Sequence, residues 1–246
     1  MSDKTMLIAG ASGAVGRHVL GLARSAGWHV VGIYRHNQAQ AEALSQQWAD
    51  APGSLQMHAC DLTDPDQVSA LIGRLPDAYC PEALVHLAAP RLDVRPLHRI
   101  GWDEYQRQLD GVLKAVVLLT QPVLQRMARR GRGRIISALS AVVMGTPPRG
   151  LASYTVAKYA LTGYMKCLSA EYAGRGITAN TVSPGPMNTD LLRDLPALLT
   201  DQMRDSIPGG KWIEPESVAR AIFWLAAEAG PEVTGCNLPV TSGMSL

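Results

Sequence analysis

The chain has 246 residues, 47% hydrophobic and 18% charged, with a formal net charge of +2; the length suits one α/β domain, and the charge makes no case for a nucleic-acid binder. Cys60, Cys80, Cys167 and Cys236 are scattered without CxxC or Cys/His clustering, so no metal site or disulfide framework is expected, and free thiols suit a reducing, cytoplasmic setting. There is no leader-like N-terminus and no run of about 18 apolar residues, so no membrane partner is expected.

In chain order, Thr5–Ala9 reads as a buried strand, Val15–Ala26 as a helix ended by Gly27, and His29–Tyr34 as a second strand. Ala39–Trp48 reads as a helix, Leu55–Ala59 as a strand, and Pro65–Arg74 as a helix with proline in its first turn, where a missing N–H does no harm. Ala83–Leu87 is a fourth strand. Trp102–Arg129 reads as one long helix with a kink expected at Pro122. Gly133–Leu139 is a fifth strand, Ser153–Ala173 a helix closed by Gly174 and Gly176, and Ile177–Val182 a sixth strand. Pro215–Ala227 is the last long helix and Asn237–Val240 a short final strand. Strict alternation predicts a Rossmann-type, doubly wound parallel sheet of about seven strands, with helices on both faces. Aromatics are only 5%, so its core must be mostly Ala, Val, Leu and Ile. Residues 1–246 read as one domain, with the irregular stretch Asp190–Lys211 as a probable flap over a substrate.

The first strand runs directly into Gly10-Ala-Ser-Gly13-Ala-Val-Gly16 and then a helix. A tight strand-to-helix turn with little side-chain bulk lets backbone N–H groups approach a pyrophosphate, and the helix dipole favours the anion. Ser12 and Val15 belong to the same dinucleotide-binding turn. Asp61, beside Leu62 and just after the third strand, is suited to accept from an adenine amino group; its alternative role is a helix cap, for which Asp64 is better placed. The second strand ends in Tyr34-Arg35-His36-Asn37, with no acid to hold a ribose 2′-hydroxyl. Arg35 instead suits a 2′-phosphate, which predicts NADP(H); a merely solvated arginine is the alternative.

Tyr154-Thr-Val-Ala-Lys158 opens a helix, and spacing of four puts both side chains on one face. A nearby ammonium favours the phenolate, so Lys158 is expected to lower the Tyr154 pKa and to reach ribose hydroxyls. Ser140 follows the fifth strand, at the sheet edge where α/β sites lie, and suits a hydrogen bond to a substrate carbonyl; a loop-capping hydroxyl is the alternative. Ser137 falls within the strand, and Ser153 is expected to cap the Tyr154 helix. After the sixth strand, Pro184, Gly185, Met187 and Thr189 form a turn suited to support a nicotinamide, with Thr189 bonding its carboxamide.

With these pieces in order, the chain resembles the single-domain branch of the short-chain dehydrogenase/reductase family, most closely 3-oxoacyl-carrier-protein reductases and related ketoreductases. The matching segments are AGASGAVG at 9–16, CDLTD at 60–64, RGRGRIISALS at 130–140, YTVAK at 154–158, RGITANTVSPGPMNTD at 175–190 and EPESVARAIFWLA at 214–226. The resemblance implies hydride transfer between a nicotinamide and a ketone or secondary alcohol, with Tyr154 as general acid/base, Ser140 positioning the carbonyl and Lys158 assisting. It also implies a homo-oligomer, commonly a tetramer, with one interface built on the long helix and the Tyr154 helix and another on the C-terminal strand.

Two departures from the family pattern stand out. An Asn-Asn-Ala-Gly turn is replaced by His86-Leu87-Ala88-Ala89, whose Leu87 and Ala88 are still expected to border the adenosine ribose; His86 is expected to be a satisfied buried side chain. Val112 falls where the family usually has an asparagine that organises a proton-relay water. The competing reading is therefore a low-activity or non-catalytic NADP(H)-binding sensor. Arg126, Arg129, Arg130, Arg132 and Arg134 form a basic stretch suited either to an acidic carrier protein or simply to a solvated helix end.

Overall fold

The computed structural model describes residues 4–75, 80–193 and 195–244. Seven parallel strands form one sheet: β1 (Thr5–Ala9), β2 (His29–Tyr34), β3 (Leu55–Ala59), β4 (Ala83–His86), β5 (Gly133–Ala138), β6 (Ile177–Pro184) and β7 (Asn237–Val240). Their spatial order is β3-β2-β1-β4-β5-β6-β7. The chain winds one way from β1 to β3 and the other way from β4, so the switch point lies between β1 and β4, where Ala9 pairs with both Ile33 and His86. At such a point the outgoing loops diverge and leave a crevice at the carboxyl edge.

Strand alternation divides the interior in two. Leu7 and Ala9 face a core shared with Val68 and Leu71 of helix α3 (Pro65–Arg74) and with Leu119 and Leu161. Met6 and Ile8 face a second core with Val19 and Leu20 of α1 (Ala14–Ser25) and Val218 and Ile222 of α8 (Pro215–Ala227). Helix α2 (Gln38–Gln47) is capped by Asn37, and α3 by Asp64, whose carboxylate accepts from the Asp66 and Gln67 N–H groups. The Asp64 cap is the one expected from sequence.

The long helix differs from expectation. Helix α4 (Trp102–Leu109) and helix α5 (Ala115–Arg130) are joined by a π-helical turn at Asp110–Lys114, while Pro122 sits within an unbroken α5. The interruption therefore falls around Val112. The wider turn brings Gly111 against the Pro90 ring, where a Cβ would stand 2.9 Å from Pro90 Cδ. Helix α6 (Ala152–Tyr172) starts one residue before the expected position, so Ser153 is not its cap: it is buried in the first turn, and its hydroxyl donates to Glu104 Oε1 at 3.4 Å. The stretch expected to be irregular contains a short 3₁₀ turn at Asp190–Leu192 and helix α7 (Ala197–Asp205); Asp194 lies outside the described residues.

Candidate active site

Two adjoining clefts open at the carboxyl edge of the sheet. One, about 490 Å³, is lined by Gly10, Ser12, Gly13, Val15, Gly16, Arg35, Asp61, Leu62, Leu87 and Ala88. The other, about 750 Å³, is lined by Ser140, Tyr154, Lys158, Pro184 and Gly185. Val15, Leu87, Met187 and Thr189 line both, so the two form a continuous channel. Every sequence-nominated site residue therefore comes to this edge. Sequence reasoning missed Leu92, Val142, Leu151, Leu199 and Met203 of the larger cleft. They carry no chemical signature, and the connections after β4 and β5, with α7, bring them in.

The glycine turn has little room for side chains. Gly10 has φ +81°, and a Cβ there would lie 2.8 Å from Ala88 N; a Cβ on Gly16 would lie 2.1 Å from Gly10 O. Its Gly10 and Ala11 N–H groups are taken by Ile33 O, which pins the turn to β2. Gly13 opens α1 with no side-chain cap, leaving that helix end open to an anion. These residues fit a dinucleotide pyrophosphate.

Arg35 and Asp61 meet across the cleft, Nη2 to Oδ2 at 2.7 Å. They thus form a pair, where sequence suggested separate roles. Burial pushes the Asp61 carboxyl up, but hydrogen bonds from the Thr63 N–H and hydroxyl, with the Arg35 charge, hold it below its ordinary value. Arg35 remains about half-exposed, so the pair contributes little stability by itself.

At the other end Ser140 lies near enough to the Tyr154 phenol to oppose the rise in its pKa, and both Tyr154 and Lys158 are buried. Ser140 also caps a short 3₁₀ turn, its hydroxyl accepting from Val142 N–H at 3.4 Å, so the capping alternative holds alongside the Tyr154 contact. Lys158 Nζ donates to Ala138 O at 2.8 Å and lies 5.6 Å from the Tyr154 ring centroid. Burial pushes the Lys158 ammonium down to about 8. Burial also raises the Tyr154 phenol above its usual value, offset in part by Ser140. The expected lowering by Lys158 is thus not seen in this arrangement, where burial is the largest influence on the phenol.

Ser137 lies wholly inside the strand, with its hydroxyl on Met165 Sδ, and takes no part in the cleft. His86 is buried and bonded to Thr120 Oγ1 at 3.0 Å, the satisfied side chain expected; burial pushes its pKa down to about 3, so it is neutral. Val112 is buried in the apolar core. The arginine stretch is not one patch. Arg130 and Arg132 both pair with Glu82, and Arg134 donates to the Leu225 and Ala229 carbonyls.

A seven-stranded parallel sheet with its glycine turn at the switch point defines a Rossmann-type protein, and a hydroxyl, a phenol and an ammonium are gathered in the cleft beside it. The chain belongs to the short-chain dehydrogenase/reductase family: a family model described as "Enoyl-(Acyl carrier protein) reductase" matches residues 10–245. It is 32% identical over 245 residues to the 3-oxoacyl-[acyl-carrier-protein] reductase FabG of Rickettsia felis, covering 99% of this chain and 98% of that one. The corresponding protein of Vibrio cholerae is 30% identical over 251 residues, covering 99% and 98%. Among solved structures, a putative NAD(P)-dependent gluconate 5-dehydrogenase from Beutenbergia cavernae with bound NADP superposes with a TM-score of 0.90 at 26% identity, over 99% of this chain and 97% of that one. A short-chain type dehydrogenase/reductase from Mycobacterium ulcerans, 22% identical with a TM-score of 0.90 over 99% and 90%, shares the fold.

Proposed function

We propose that the protein is an NADPH-dependent ketoreductase acting reversibly on a ketone or secondary alcohol, including 3-oxoacyl thioesters on a carrier protein. The observation that carries this reading is the gathering of Ser140, Tyr154 and buried Lys158 on the wall of one cleft that adjoins the glycine turn. Gly10, Ser12, Gly13, Val15 and Gly16 receive the pyrophosphate; Asp61 and Leu62 hold the adenine; Leu87 and Ala88 border the ribose. Arg35 leaves Asp61 to pair with a 2′-phosphate, which supplies a fork-shaped, doubly charged partner in place of one carboxylate. Pro184, Gly185, Met187 and Thr189 support the nicotinamide, which supplies or accepts hydride at the carbonyl carbon.

Ser140 donates to the carbonyl oxygen and fixes its position. Tyr154 delivers the proton to that oxygen during reduction and removes it during oxidation. Lys158 holds ribose hydroxyls and, as a cation, favours the phenolate. The burial of Tyr154 makes this assistance necessary. Residues 190–211 cover the substrate as a flap within one functional unit, and the exposed Trp102, Val156 and Tyr159 of α4 and α6 support a homo-oligomer. Among the described residues no helix is long and apolar enough to cross a membrane.

Following NADPH absorbance with a panel of ketones and 3-oxoacyl thioesters tests the reading. Turnover that Tyr154→Phe abolishes is expected. The second reading, an NADP(H)-binding sensor, draws on Val112 at the family's relay position; tight NADPH binding with no turnover on any substrate would establish it instead.

A further inference from the structure

The larger cleft is apolar over most of its wall, through residues such as Leu92, Val142, Leu192, Leu199 and Met203. Among the described residues no aspartate or glutamate lines it. Its two charged side chains among the described residues are Lys158, buried beside Tyr154, and Arg149, which is exposed. Arg149 is uncommitted: it has no hydrogen bond or ion pair among the described residues. Other arginines in this part of the molecule are paired, Arg95 with Asp93 and Arg107 with Glu104.

Arg149 is also held on a stiff loop. Pro147 and Pro148 restrict the backbone before it. Gly150, at φ +83°, accepts from Arg95 N–H at 3.1 Å, and a Cβ there would lie 2.6 Å from Val94 Cγ1. A guanidinium free among the described residues, on a pinned loop at an apolar cleft whose described lining holds no acid, is a receptor for a carboxylate or phosphate.

We infer that Arg149 anchors an anionic group at the far end of an apolar carbonyl substrate, and so sets the substrate class. The inference rests on the ketoreductase reading for the word substrate, but its binding component can be measured without turnover. In a calorimetric titration, decanoate binds the wild-type protein at least tenfold more tightly than decanamide; Arg149→Gln abolishes the difference and Arg149→Lys keeps part of it. Equal affinities in the wild type, or a preference that Arg149→Gln retains, overturn the inference.

Kinetics then separate the two sources of the anion. One matched pair is a 3-oxoacyl 4′-phosphopantetheine thioester and its N-acetylcysteamine counterpart; the other is a medium-chain ketone with and without a terminal carboxylate. Arg149→Gln raises KM at least tenfold for the anionic member of one pair, with kcat within twofold and the neutral member unchanged. A change confined to the first pair identifies a carrier-type phosphate, and one confined to the second a free oxo acid. An equal effect on neutral and anionic members of both pairs overturns the inference. If the wild type reduces none of the four, the ketoreductase reading falls while the decanoate preference still decides the role of Arg149.

Discussion

Tyr154 is buried with a raised pKa, so in the proposed reaction it carries the proton as a phenol rather than standing as a phenolate. Replacing it with phenylalanine removes that carrier and leaves the cleft's shape. Tyr154→Phe is expected to lower kcat by about 10²–10⁴-fold with NADPH binding within a factor of two, as steady-state assays and fluorescence titration would show. Arg35 makes a different kind of contribution, since its half-exposed pair with Asp61 costs little to break. Arg35→Ala should reduce the NADPH:NADH ratio of kcat/KM by about 10–100-fold, through loss of a charge-assisted contact. Equal kcat/KM values for the two cofactors in the wild type would remove the basis for Arg35 as a phosphate ligand. His86 supplies a pH test. Its folded pKa of about 3 lies below the unfolded value near 6.5, so the unfolded chain binds more protons between those limits. Stability therefore rises with pH across that window and is lost as pH falls through it. Urea midpoints should drop more steeply from pH 7 to 4 in the wild type than in His86→Asn.

At the scale of elements, buried Arg24 ties α1 to its surroundings. Its guanidinium donates to the carbonyls of Trp28, Trp48, Ala51 and Pro52, at 2.7 to 3.1 Å, joining the end of α1 to the segment between α2 and β3. Neutral acceptors do not cancel the charge, but four of them replace much of its hydration. Arg24→Ala should cost about 3–5 kcal/mol by chemical denaturation, because four carbonyls lose their donor and a cavity remains. The π-turn around Val112 shows how one element can be read correctly in extent and wrongly in detail. The apolar run predicted a long helix and Pro122 offered an obvious break, yet proline is tolerated there and the ladder widens at Gly111 and Val112 instead. The widened turn sets Gly111 against Pro90, a partner remote in sequence that helical periodicity does not encode. Ser153 failed as a cap for the same reason: Glu104 of α4 claims its hydroxyl.

At the scale of the whole molecule, the exposed apolar side chains have a consequence for assembly. Trp102, Val156 and Tyr159 are each at least 46% exposed on α4 and α6, away from both clefts. Charge introduced there should disfavour self-association by burying an unpaired carboxylate. Sedimentation velocity should show a smaller species for Tyr159→Glu than for the wild type, while NADPH binding to the remaining species is preserved. An unchanged sedimentation coefficient would exclude α6 as an interface. The sequence by itself determined the order and kind of the seven strands and the nomination of Gly10, Asp61, Ser140, Tyr154 and Lys158. Strand-sized apolar runs, glycine spacing and a four-residue step on a helix are local properties, legible wherever they occur. Only the tertiary structure decided what meets across the sheet edge: that Arg35 pairs with Asp61, that Glu82 absorbs two of the basic-stretch arginines, and that Arg149 stands uncommitted beside an apolar cleft. Those outcomes depend on which distant loops the parallel crossovers bring together, and charge is neutralised or left free by neighbours in space, not by neighbours in the chain.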